Sequence, residues 1–243
     1  MSLRIDIWSD IACPWCLIGK RRFEKALAQL PFRDQVEVLY HSFQLDPGLP
    51  EHYDGTEADY LASRKAMPAE QVRQMLAQVT EVAAGEGLAY DFDRLVVANS
   101  RRGHRLLHGA RALDESGTTQ GLQVAVKESL LVGHFSDGLD IGATEDLVTM
   151  ATRAGMDEQA ARQIVDEPAL DMGVEMDIAT AEGYQISGVP FYVIGGKYGI
   201  AGAEQSEVFV QAITQAWDET QQQPMPIQLI GDAGEACGPD GCA

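Results

Sequence analysis

Two cysteines three positions apart, in the run Cys13-Pro14-Trp15-Cys16, have the types and spacing of a working thiol pair. Pro14 suits the first turn of a helix, where a missing N–H costs nothing. That places Cys13 at a helix start, facing free backbone N–H groups and the positive end of the helix dipole. Both favour thiolate over thiol and lead us to expect a lowered pKa at Cys13. Cys16 lies one helical turn on, within reach of a disulfide formed at Cys13, and can resolve it. The other two cysteines, Cys237 and Cys242, also form a close pair. A zinc site drawing two ligands from each pair is arithmetically open, but such knuckles usually sit in turns, whereas this pair opens an amphipathic helix behind a strand. A purely structural disulfide fits poorly in a reducing compartment, and two inert buried thiols remain as the plain alternative.

These residues need elements to hold them. Residues 3–8 alternate Leu3, Ile5 and Ile7 with other residues and read as a strand; a helix is expected over 14–30, ended by Pro31. Residues 35–45 read as a second strand, parallel to the first across this βαβ unit. From Thr56 to Gly183 the apolar spacing is helical almost throughout, including a helix beginning near Val97 and one capped by Thr144. Then "PFYVI", Gly195-Gly196 and "KYGIA" predict a hairpin, followed by a last helix ending before Pro224. The expected organisation is a small α/β unit in two parts, 1–50 and 184–222, interrupted by a helical insertion over 51–183. A Gly- and Pro-rich tail follows over 223–243. Val189-Pro190, after Gly188 at the start of the returning strand, suits a cis peptide.

The stretches "SDIACPWCLIGKRRFEKAL" and "SGVPFYVIGG", with the helical segment between them, resemble the DsbA family of thioredoxin-fold oxidoreductases, and within it the FrnE-like cytoplasmic branch. The stretches "NSRRGHRLLHGA" and "HFSDGLDIGATEDLVTMATRAGMD" resemble the same branch; in all, the resemblance spans about residues 4–220. It implies that Cys13 is the exposed nucleophile, Cys16 the resolving thiol and Pro190 the proline beside them. Val189 then offers backbone groups to a bound peptide, Trp15 flanks the substrate, and Asn99 and His104 line a cleft. It also implies action on protein disulfides, recycling by a thiol reductant, and no cofactor. Two departures matter. Trp15 stands where periplasmic members usually have histidine, and an uncharged indole stabilises the Cys13 thiolate less, which makes a weaker oxidant. Ile7 stands six positions before Cys13, where these enzymes commonly hold a buried acid, and Asp6 and Asp10 are out of register.

Other signals are weaker. His104 and His108 share a helix face at metal-ligand spacing, but packing near the site explains them better than a metal. "CGPDGC" folds Cys237 and Cys242 toward each other, a candidate second redox pair and relay. The net charge of −19, from 18 basic and 37 acidic residues, argues against nucleic acid and anionic membranes as partners, or serves solubility alone. No apolar run is long enough to cross a bilayer, and "RIDIWSD" is unlike a signal peptide, so a cytoplasmic location is expected. The leading function is a thiol–disulfide oxidoreductase. Its rival is a glutathione-dependent isomerase or transferase of the 2-hydroxychromene-2-carboxylate isomerase/kappa type, proteins that generally carry a serine and lack the cysteine pair. A zinc-bound interaction module is the non-enzymatic reading.

Overall fold

The computed structural model describes residues 2–221. Four strands, β1 (Leu3–Ser9), β2 (Val36–Ser42), β3 (Phe191–Ile194) and β4 (Tyr198–Ala201), form one sheet in the order β2-β1-β3-β4. β1 runs parallel to β2 and antiparallel to β3, and β3 pairs antiparallel with β4. The two halves of the sheet therefore come from opposite ends of the chain. The hairpin closes through Gly195 and Gly196, whose φ values of +58° and +67° are cheap only for glycine.

Helix α1 (Pro14–Leu27) crosses from β1 to β2, and seven helices lie between β2 and β3: α2 (Glu57–Lys65), α3 (Ala69–Gly85), α4 (Arg101–Glu115), α5 (Leu122–Val132), α6 (Thr144–Arg153), α7 (Glu158–Val165) and α8 (Asp171–Gly183). Helix α9 (Ser206–Gln221) ends the described chain. The period of β1 sorts its side chains. Leu3, Ile5 and Ile7 join Phe23 and Ala26 of α1 and Phe209 and Ile213 of α9 in one core. Trp8 turns to the other face and packs with Ala181 of α8. Helices α4 to α7 bury a separate core around Leu106, Val126, Leu130, Leu147 and Val165.

Boundaries differ from the sequence expectations for local reasons. α1 stops at Leu27 because the approach to Pro31 tightens the last turn into i→i+3 bonds, from Gln29 N–H to Ala26 O and from Leu30 N–H to Leu27 O. β2 stops at Ser42 because Leu45 N–H donates 2.7 Å to the Asp10 carboxylate and draws the chain off the sheet. The helix expected from Val97 begins at Arg101, after the Asn99 side chain has tied down the preceding segment. Ala143 precedes α6 as its cap; Thr144 is the first helical residue, and its hydroxyl accepts from Arg102 at 2.6 Å. The open edge of β2 is covered by Gln123 of α5, which accepts from Tyr40 N–H at 3.0 Å and donates to Tyr40 O at 2.9 Å. A side chain thus satisfies a strand edge that would otherwise invite pairing.

Candidate active site

Cys13 is the N-cap residue of α1 and Pro14 its first helical residue. The extended backbone of Cys13 (φ −102°, ψ 112°) lets its carbonyl accept from Cys16 N–H at 3.0 Å, which places both sulfurs on one turn. Both thiols are free and buried, Cys13 4% and Cys16 3% exposed. The nucleophile is therefore less open than its resemblance implied. The two are nonetheless unequal: Cys13 lines a cavity of about 320 Å³ and Cys16 does not. Apolar side chains from the β2–α2 loop, α2 and α3, among them Leu49, Leu61 and Leu76, form much of its wall. Trp15, 39% exposed, stands in the same wall. Glu57 at the start of α2 also lines it, with a carboxyl that burial pushes up to about 7.

Opposite the thiols, the peptide between Val189 and Pro190 is cis, as the Gly-Val-Pro run suggested. The Cys13 thiol donates to Val189 O at 3.4 Å, and Pro190 is buried, its carbonyl accepting from Gly202 N–H at 2.8 Å. Gly19 of α1 makes this approach feasible. A Cβ there would lie 2.6 Å from the Tyr192 hydroxyl and 3.0 Å from Pro190 Cγ. Gly19→Ala is expected to destabilise the fold by about 1–3 kcal/mol through overpacking. It should also slow thiol exchange at Cys13 by displacing Val189; urea unfolding and exchange rates on the same preparation check both.

The titration of the pair departs from the sequence expectation. The Cys13 thiol is pushed well up by its hydrogen bond to Cys16, by burial and by the neighbouring negative charges of Cys16 and Asp10. Burial also raises Cys16, but the bond from Cys13, the Lys127 ammonium and the Ser9 hydroxyl outweigh it, and Cys16 is lowered. The helix-start argument counted only the dipole; burial and the second thiol reverse its expectation at Cys13.

The remaining expected site residues fall elsewhere. His104 is fully buried behind the cavity wall, 3.2 Å through Nε2 from Asp10 Oδ1. It positions Asp10 and is closed off from a ligand in the cavity. His108 diverges from it toward Asp177 Oδ2, 3.1 Å away, so the two histidines serve different carboxylates. Asn99 donates to Leu49 O at 2.6 Å and accepts from Arg101 N–H at 2.9 Å, outside the thiol cavity. Cys237 and Cys242 lie outside the described residues. Three contributors escaped the sequence reading. Tyr90 donates to Pro14 O at 2.7 Å and pins the Cys-Pro-Trp-Cys turn. His134, in a π-helical turn after α5, lines the cavity, with its pKa lowered to about 4 by burial. Lys127 of α5 is fully buried and donates to Ser9 O at 3.4 Å. The π-helical turn had no sequence signal, and Tyr90 and Lys127 act across the fold.

The fold that holds this cysteine pair against a cis-proline is shared with solved structures. The chain aligns over 99% of its length with 98% of the crystal structure of a probable DsbA oxidoreductase, SCO1869 from Streptomyces coelicolor, at 40% identity and a TM-score of 0.81. It aligns over 90% with 98% of the cytosolic disulfide reductase DsbM from Pseudomonas aeruginosa, solved with GSH (15% identity, TM-score 0.57). It also aligns over 89% with 97% of a 2-hydroxychromene-2-carboxylate isomerase (14% identity, TM-score 0.63). At these lower identities the likeness is one of fold. The DSBA-like thioredoxin domain model matches residues 4–214, nearly the whole described chain, and together with the Streptomyces relative it establishes that this protein belongs to the DSBA-like thioredoxin domain family.

Proposed function

We propose that this protein is a thiol–disulfide oxidoreductase in which Cys13 attacks a substrate disulfide and Cys16 resolves the mixed disulfide. The observation that carries this reading is the asymmetry of the pair: Cys13 opens on the cavity beside Val189 O, and Cys16 sits one turn behind it, sealed from the cavity. In the forward sense the Cys13 thiolate forms a bond to one substrate sulfur and expels the other. Cys16 then attacks the Cys13 sulfur and releases the second substrate thiol. The Val189 backbone supports pairing with an extended peptide, and the apolar cavity suits a hydrophobic side chain near the reacting cysteine, so protein disulfides are the substrates this reading favours. A thiol reductant recycles the pair, and a cytoplasmic location follows from the same reading. A glutathione-dependent isomerase has no step for a second thiol, and Cys16 therefore favours the oxidoreductase.

Two measurements test this. Incubation in glutathione redox buffers, followed by alkylation and mass analysis, should yield an internal Cys13–Cys16 disulfide. Insulin reduction with a dithiol reductant should be catalysed well above the uncatalysed rate. Glutathione-dependent isomerisation without either result would overturn the reading.

A further inference from the structure

Glu57 opens α2 and lines the cavity that Cys13 lines. Among the described residues no hydrogen bond or ion pair engages its carboxyl, and burial alone raises its pKa. The start of α2 does not need that carboxyl, because Thr56 and Asp59 complete the capping box between them. The other charged groups around the cavity are occupied or turned outward. Asp10, in the β1–α1 connection, accepts from Ala12 N–H and Leu45 N–H and lies against His104. Asp46, in the β2–α2 loop, accepts from the Tyr60 hydroxyl at 2.9 Å and pairs with Arg64. Lys65 is exposed at the far end of α2. Helix α3 presents apolar groups, Met75, Leu76 and Val79. A second open group comes from another element. His134 is 3% exposed and lines the same cavity, and its buried Nδ1 has no hydrogen-bond partner. Burial keeps this imidazole neutral at pH 7, so with its proton on Nε2 it adds an acceptor and no positive charge. Polar groups left unpaired in an apolar cavity are costly. Two such acceptors beside the nucleophile suit a ligand that brings donors.

We propose that Glu57, with His134 as a second acceptor, makes this cavity a pocket for a lysine or arginine side chain next to the reacting cysteine of a substrate. The proposal rests on the oxidoreductase reading above and narrows its substrates. The apolar wall takes the methylene stem, against groups such as Trp15, Leu61 and Leu76, while the charged head meets Glu57. A purely apolar side chain fills the same space but leaves the carboxyl unpaired. An acidic one sets like charges together in a site poor in water, where repulsion is strong. The volume of about 320 Å³ lies at the small end of ligand pockets and suits a side chain, not a folded segment. The net charge of −19 draws basic segments to the surface as a whole. Glu57 sorts them at the thiol. Bond making and breaking at Cys13 stay as described; the carboxyl decides which disulfides are held there.

The test uses disulfide-linked dimers of one short peptide whose cysteine is flanked by lysine, norleucine or glutamate. Norleucine keeps the stem of lysine and lacks its ammonium. Each kcat/KM is divided by the rate at which the same dithiol reduces that peptide without enzyme, which removes the effect of the flanking residue on the cysteine itself. With the unaltered protein near pH 8, lysine should exceed norleucine by about tenfold, and glutamate should be the poorest. Glu57→Gln keeps the shape and removes the charge, and the lysine-to-norleucine ratio should fall close to one. A further measurement needs no variant. The ratio should persist in about 0.5 M potassium chloride, which screens the overall charge of the chain but reaches little of a pair inside the cavity. Equal rates for lysine and norleucine, a ratio lost in high salt, or a ratio kept in folded Glu57→Gln would each overturn the proposal while leaving the oxidoreductase reading in place. Failure of the unaltered protein to reduce any of the three peptides would overturn that reading, and this proposal with it.

Discussion

Cys13→Ser is expected to abolish disulfide exchange, with a loss on the order of 10³-fold or more in insulin reduction. A serine hydroxyl in the same place stays protonated at neutral pH and cannot form a mixed disulfide. Cys16→Ser should behave differently. Cys13 still attacks from the cavity side, but nothing one turn on displaces it, so substrate adducts on Cys13 should accumulate and be visible by mass. The pair of variants checks the order of events that the cavity implies. Normal turnover in Cys13→Ser, or adducts trapped on Cys16 in that variant, would reverse the assignment.

The largest expected effect on stability lies away from the thiols. Asp177 of α8 receives Ser42 N–H at 2.8 Å and faces His41 Nδ1 at 2.8 Å and His108 Nε2 at 3.1 Å. The other nitrogen of His41 reaches Asp6 at 2.7 Å, and its ring stacks on Trp8 with centroids 4.4 Å apart. Trp8 in turn donates to Asp177 O at 3.0 Å. This network ties α8 to the face of the sheet. Asp177→Ala leaves two histidines and a strand N–H without their partner, and should cost about 3–5 kcal/mol. Burial opposes the charged form of all three central groups, yet the mutual bonds win. His41 is raised by Asp177 and Asp6, Asp177 is lowered by His108 and His41, and Asp6 is lowered by His41 and Arg4. A raised histidine contributes fully below its unfolded value near 6.5 and loses that contribution as pH rises through the higher folded value. Depressed carboxylates contribute above about 4 and lose it as pH falls. The network should therefore be strongest between about pH 4 and 6.5. Urea unfolding at pH 5.5 and pH 8.5 should show a smaller pH difference in Asp177→Ala than in the unaltered chain.

The sequence was most informative where structure is set locally. Cys13 caps α1 because Pro14 follows it, and the Gly195-Gly196 turn dictates the hairpin, so both could be read in one dimension. Residues whose partners are remote could not. Lys127 in "VAVKESLL" looks like the polar side of a helix, and only the packing of α5 on β2 turns it, with Gln123 four residues earlier, inward. His104 reads as a cleft residue from its neighbours, yet its place is decided by Asp10, 94 positions away. Asn99 reads as a ligand contact, but it satisfies backbone carbonyls of a loop about 50 positions before it.

Cys13 and the backbone that faces it are separated by 176 positions. A ribosome adding roughly 5–20 residues per second finishes the first half of this site roughly ten to thirty-five seconds before the second. During that interval the nascent chain carries its dithiol without the carbonyl of Val189, and β1 has no partner on its β3 side. The half-made protein thus presents both a solvent-reachable thiol pair and an unpaired apolar strand, the two features most prone to wrong cross-links and wrong associations. A reducing environment at the site of synthesis would therefore protect its maker's product as well as set its later redox state.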